Sequence, residues 1–163
     1  MKNEGSIEKQ IRLRSLLETA AMELHYLMRC DTRLFVIPLT AEQIAELPDN
    51  DELAERVDAF VARFGRLQDT LGDKLLPTFL RVMEEIPGTV LDNLDRAEKL
   101  GLIKSADVWL ALRKLRNRMI HEYVTDPDEL LAALVTAHQH ISMLAEMLAN
   151  IRGYFLRRFQ PDI

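Results

Sequence analysis

Between Leu112 and Tyr123 the chain reads Leu-Arg-Lys-Leu-Arg-Asn-Arg-Met-Ile-His-Glu-Tyr, and Arg116, Asn117, His121 and Tyr123 could do chemistry together. A guanidinium binds phosphate through a planar, two-pronged donor set and can neutralise charge that builds on its oxygens. Imidazole is the side chain whose pKa best suits proton transfer near neutral pH. An amide can hold the imidazole or the phosphate in one orientation. Together, and without a metal ligand set, these groups could cleave RNA. The ribose 2′-hydroxyl would attack the neighbouring phosphate while His121 shuttles protons and Arg116 stabilises the pentavalent transition state. Arg113, Lys114 and Arg118 add a basic cluster that would face the RNA.

A helix must display these residues. At 3.6 residues per turn Arg116 and Tyr123, seven apart, stand nearly in line, and Asn117 and His121 share an adjacent stripe. Val108, Leu112, Leu115 and Met119 form the expected core stripe beside them. Arg116 and His121 are about 140° apart around the axis, so one helix converges them only through the long arginine side chain. Two copies facing each other across a two-fold axis would line one cleft with both residues, which makes a homodimer part of the functional expectation. Charge runs on helices are usually solvated, and Glu122 stands four residues from Arg118, where it could pair with it.

The rest of the chain reads as helices with short connections. Apolar residues from Ile7 to Met28 recur at three- and four-residue steps and predict a first helix from Ser6 to about Arg29. Asp31-Thr32 ends that pattern, Leu34 to Pro38 reads as an extended connector, and Thr40 caps a short helix through Glu46. Pro48-Asp49-Asn50 opens a long element whose apolar repeat runs from Leu53 past Gly72 and Pro77 to Met83, as one bent helix or two end to end. Pro87-Gly88 breaks the chain, Thr89 caps a helix to about Leu100, and Gly101 stops it. Ser105 caps the helix that carries the motif, Ala106 to about Tyr123. Asp126-Pro127-Asp128 starts the last long helix, through Ile151, and the tail from Gly153 is expected to be loosely held. No internal repeat or linker separates two domains, so residues 1–163 read as one all-α antiparallel helical bundle, with 31–50 as a connector carrying a short helix.

Composition narrows the classes further. The chain has 163 residues, 48% hydrophobic and 29% charged, an ordinary globular balance with room for a real core. The net charge of −5 argues against a protein that coats nucleic acid through bulk electrostatics, but leaves room for a small basic site. The single cysteine, Cys30, is expected to be buried and inert, and with no disulfide possible within the chain it points to the cytoplasm. The charged N-terminal stretch is not a signal peptide, and no apolar run reaches the roughly 20 residues that span a bilayer. Met22, Met28, Met83, Met119, Met143 and Met147 read as core filler. His138 and His140, two apart on a helix, make a poor metal pair. No Walker loop, dinucleotide-binding glycine pattern, zinc-spaced Cys/His set or nucleophile elbow occurs, so no cofactor or metal is expected.

The stretch Arg116-Asn117-Arg118-Met119-Ile120-His121-Glu122-Tyr123 resembles the Arg-x4-His-x-Tyr signature, with Asn directly after the Arg, of HEPN-domain proteins. It is most similar to the HepT-type ribonuclease toxins. Arg63-Phe64-Gly65-Arg66-Leu67-Gln68-Asp69 also resembles that family's long second helix, and the resemblance runs from about Ala54 to the last helix. It implies a HEPN-type bundle and metal-independent endoribonuclease activity on RNA such as tRNA or mRNA, with Arg116 and His121 catalytic. It also implies a homodimer with a composite site at the interface. A cognate antitoxin of the nucleotidyltransferase type is implied too, one that adds nucleotides to the motif tyrosine, here Tyr123. Chains of this kind also serve as the nucleotide- or substrate-binding partner of a nucleotidyltransferase without cutting RNA.

Overall fold

The computed structural model describes residues 2–121 and 126–160, and it is all-α, an antiparallel helical bundle with short connections. Its helices are α1 (Lys2–Leu34), α2 (Ala41–Ala45), α3 (Asp51–Asp69), α4 (Leu76–Val82), α5 (Val90–Lys99), α6 (Ala106–His121), α7 (Pro127–Gln139) and α8 (Ile141–Phe159). A 3-10 turn, Leu47–Asp49, precedes α3, and a π-helical segment, Thr70–Leu75, joins α3 to α4.

Thirty-three residues of α1 lie along the α3–α4 rod. The two run antiparallel: Arg12 shares a pocket with Arg81 near the end of the rod, and Cys30 shares one with Glu52 and Arg56 near its start. Asp31 and Thr32 do not stop α1, because the Thr32 hydroxyl donates back to the Met28 carbonyl at 3.0 Å and Leu34 is buried one turn on. Leu13, Leu17, Ala20 and Leu27 face the rod. Met22 and Met28 are half-exposed rather than core filler, and Cys30 is half-buried rather than buried.

The rod itself explains how the apolar repeat survives Gly72 and Pro77. A proline in an α-helix lacks the N–H that would bond four residues back, and its ring crowds that carbonyl. Here the helix widens before Pro77: the Leu76 N–H donates to the Leu71 carbonyl five residues back, so the chain stays helical through the proline. Phe60, Phe64, Leu67, Leu71, Leu75, Leu76 and Phe79 are all essentially excluded from solvent along one face.

The ends of these elements are set locally. Thr40 with Gln43, and Thr89 with Asp92, form reciprocal capping boxes. At the end of α5 the Leu102 N–H reaches the Ala97 carbonyl at 2.9 Å, with Gly101 at φ 72°, a left-handed stop that glycine adopts without a Cβ clash. The end of α4 has the same bonding, Glu85 N–H to Leu80 carbonyl at 2.9 Å, but places Glu84 at φ 62°. The Glu85 carboxylate then accepts two bonds from Arg96, at 2.8 and 2.6 Å, which hold its pKa below the usual 4.5. Asp92 is likewise held below 3.8 by the Thr89 hydroxyl and backbone N–H.

The C-terminal part differs from the expected single helix. His140 breaks it: the backbone there turns to φ −110°, ψ 7°, and the imidazole Nδ1 lies 2.7 Å from the Thr136 carbonyl. A side chain that bonds the carbonyl four residues back competes with the helix ladder. Residues from Gly153 are not a loose tail as far as Phe159, because α8 continues, Phe155 is buried, and Arg14 of α1 lies over its ring. At the other end of this pair His138 of α7 sits 2.5 Å from Asp31 and stacks on Phe35, which ties α7 to the C-terminus of α1. Among the described residues no helix is long and apolar enough to cross a membrane.

Candidate functional site

Helix α6 starts where two side chains take its first free N–H groups. The Ser105 hydroxyl accepts from Val108 at 3.2 Å and the Glu98 carboxylate accepts from Ala106 at 2.8 Å. Leu112 and Met119 of the expected stripe are buried and Leu115 is half-buried against the core, but Val108 is 37% exposed and Trp109 is buried in its stead. Trp109 fits because Gly72 offers no side chain; a Cβ there would stand 3.2 Å from the indole Nε1. Gln68 donates to the Trp109 carbonyl at 3.3 Å and fixes the same crossing.

With Trp109 against the rod, Arg113 and Arg116 stand in line with it and turn toward the α3–α4 rod. Arg113 makes a two-pronged pair with Asp73, 3.0 and 3.3 Å. One turn further on, Arg116 donates through Nη2 to Asp69. Two arginines three residues apart on α6 thus meet two aspartates four residues apart on the facing helix. Arg116 is the more deeply set, with its side chain 16% exposed and its stem against Gly65, where a Cβ would come within 3.0 Å of its Cδ.

Arg116 opens onto a pocket of about 480 Å³ between α1, α3 and α6, lined also by Glu23, Arg66, Asp69, Lys74 and Ile120. Three cations there face two carboxylates. Arg116 Nε and Glu23 Oε2 are both buried and have no hydrogen-bond partner among the described residues. Buried polar atoms without partners are rare and costly, so a polar group entering between them would gain two strong bonds. Beyond Ile120 and Met119 the cavity wall becomes apolar, in a separate pocket of about 710 Å³ under α2 and α7.

The structure separates some of the residues that the motif groups together. Asn117 and Lys114 are exposed and line neither polar pocket, and Arg118 is exposed as well. The α6 backbone carries His121 in helical conformation. The His121 side chain, Tyr123, and the pairing of Glu122 with Arg118 lie outside the described residues. Among the described residues no three His, Cys, Asp or Glu side chains gather in a way that could hold a metal ion. Glu23, Asp69, Asp73 and Lys74 were not singled out as site residues by sequence reasoning. Their signal was the four-residue step of Asp69 and Asp73 against the three-residue step of Arg113 and Arg116, legible only once α3 and α6 are known to pack.

No protein-family model matches this chain, and no curated protein or solved structure is significantly similar to it.

Proposed function

We propose that the chain is a metal-independent endoribonuclease of the HEPN type, acting as the toxin of a toxin–antitoxin pair through a composite site at a homodimer interface. The observation that carries this reading is the setting of Arg116. It is a half-buried guanidinium, positioned by Asp69 and Gly65, at the mouth of a polar pocket on the helix that also bears Asn117 and His121. A positioned guanidinium costs little reorganisation when charge builds on a phosphate, which is where electrostatic catalysis gains most. In the reaction the 2′-oxygen–phosphorus bond forms as the bond from phosphorus to the 5′-oxygen breaks. His121 takes the proton of the 2′-hydroxyl and returns one to the leaving oxygen. Asn117 orients the imidazole or the phosphate, and Tyr123 is the residue that a nucleotidyltransferase-type antitoxin would modify.

The test is cleavage of total RNA and tRNA by the purified protein with EDTA present. Cleavage that persists in EDTA and is lost in His121→Ala supports the reading. Equal cleavage by parent and variant rejects it. A second reading, a non-catalytic nucleotide- or substrate-binding partner of a nucleotidyltransferase, is favoured by the two carboxylates beside Arg116, which offset much of its positive field. A well-folded dimer that binds nucleotide and never cuts RNA would decide for that reading.

A further inference from the structure

The Arg116 pocket does not end at Arg116. Lys74 also lines a second polar pocket, of about 510 Å³, whose walls include Arg12 of α1, Arg81 of α4 and Arg113 of α6. The two pockets thus meet at Lys74 on the rod, and both are bounded by α1 and α6, the second also by the start of α5. Arg113 and Arg116 stand only about 4.5 Å apart along the α6 axis, at 1.5 Å per residue.

The second pocket has the opposite charge character from the chain as a whole. The protein carries −5, yet here four cations face one carboxylate, Asp73, already engaged by Arg113. Arg12, Lys74 and Arg81 are exposed and have no ion-pair partner among the described residues. Lys74, from the π-helical segment, and Arg81, from α4, line this pocket from the rod, with Arg12 on the antiparallel α1. Three unneutralised cations around one cavity repel each other, and a polyanion that enters removes that repulsion while displacing counterions. The far wall is rigid: Asn93 is buried and bonds both the N–H of Gly88, at 2.8 Å, and its carbonyl, at 3.4 Å. The volume falls in the range that small ligands and single nucleotide units occupy.

We propose that this second pocket is a phosphate-binding subsite that holds the backbone of a single-stranded RNA next to the phosphate at Arg116. Arg12, Lys74 and Arg81 supply the charge, and Lys74 links the two subsites. The assignment rests on the ribonuclease reading for the identity of the strand, and on the second pocket alone for the phosphate chemistry.

The experiment measures binding of a labelled short single-stranded RNA to the full-length His121→Ala protein over a range of salt. Arg12→Ala with Arg81→Ala is expected to weaken binding about tenfold and to flatten the slope of log affinity against log salt by about 1.4, the change for two phosphate contacts on a single strand. Both side chains are exposed and without ion pairs among the described residues, so the double variant should retain the parent circular dichroism and melting temperature. Unchanged affinity and slope would overturn the proposal, as would a His121→Ala protein that fails to bind the strand. Displacement by a poly-glutamate peptide as readily as by RNA would overturn it in favour of an acidic protein partner. Displacement by adenosine monophosphate at equal phosphate concentration would overturn it in favour of a free nucleotide. The ribonuclease reading fails separately: cleavage insensitive to His121→Ala rejects that chemistry while the binding result for the second pocket stands.

Discussion

The two Arg–Asp pairs that join α6 to the rod are alike in composition and differ in what surrounds them. In Arg116–Asp69 the arginine is set deep, 16% exposed against Gly65 and beside the second carboxylate of Glu23, while Asp69 is 42% exposed. In Arg113–Asp73 the arginine is shallower, both partners being about a third exposed, and the pair stands among Arg12, Lys74 and Arg81. Burial lowers the effective dielectric around Arg116, so its charge acts strongly on whatever comes near but is largely answered by its own neighbours. Arg113 sits in a wetter place where each charge counts for less and the surplus is positive. Position therefore separates a focused guanidinium, which under the proposed function would act on a transition state, from a diffuse cationic set, which would hold a strand.

Substitution of the two arginines is the most direct way to break that contrast. Arg116→Ala is expected to lower the RNA cleavage rate by about 100-fold or more, in the range seen when one group that stabilises transition-state charge is removed. Arg113→Ala should cost only a few-fold, mainly through weaker substrate binding, as read from initial rates at limiting and saturating RNA. Equal losses would mean that burial does not distinguish the two sites. The glycines sharpen the comparison through stability. Gly72→Ala would press a Cβ to 3.2 Å from the ring of Trp109, which is 1% exposed and has nowhere to move. A loss of about 1–3 kcal/mol in urea unfolding is expected, less what alanine's better helix propensity returns. At Gly65→Ala the nearest atoms are those of the flexible stem of Arg116. Its stability should change by under about 1 kcal/mol, because propensity offsets the contact, while cleavage falls as Arg116 shifts.

The smallest expected effect lies away from the two pockets. Glu85 and Asp92 both have lowered pKa values, first through their bonds to Arg96 and to Thr89. Groups held low in the folded state bind protons more readily when unfolded. Their contribution is complete above the ordinary values of 4.5 and 3.8 and is lost as pH falls through the lowered ones. Thermal midpoints should therefore decline as pH drops below about 4.5, and Thr89→Ala should make that decline shallower. An acid limb unchanged in the variant would show that the capping box does not set Asp92.

Helix starts were legible because the signals are local. Thr40, Asn50, Thr89, Ser105 and Asp126 each place a side-chain oxygen at the N–H three residues on, as their types predict. Gly101 stops α5 as its type predicts, but Glu84 makes the same left-handed stop with no such mark, and His140 divides α7 from α8 without a glycine or proline. The continuation of α8 to Phe159 depends on Phe155 meeting α1, a partner more than a hundred residues away.

The amino-acid sequence by itself determined the all-helical class, most of the helix boundaries, and α6 as the element that carries the candidate chemistry. These follow from interactions within three or four residues. Which charged residues of α6 turn inward was decided only by tertiary structure. Apolar periodicity placed Leu112 and Met119 in the core but put Val108 where Trp109 is buried, because Trp109 can face the rod only where Gly72 leaves room and Arg116 can be drawn in only where Gly65 does. The carboxylates that receive the two arginines, and the cations of α1 and α4 that line the second pocket, come from other helices, and only packing brings them together.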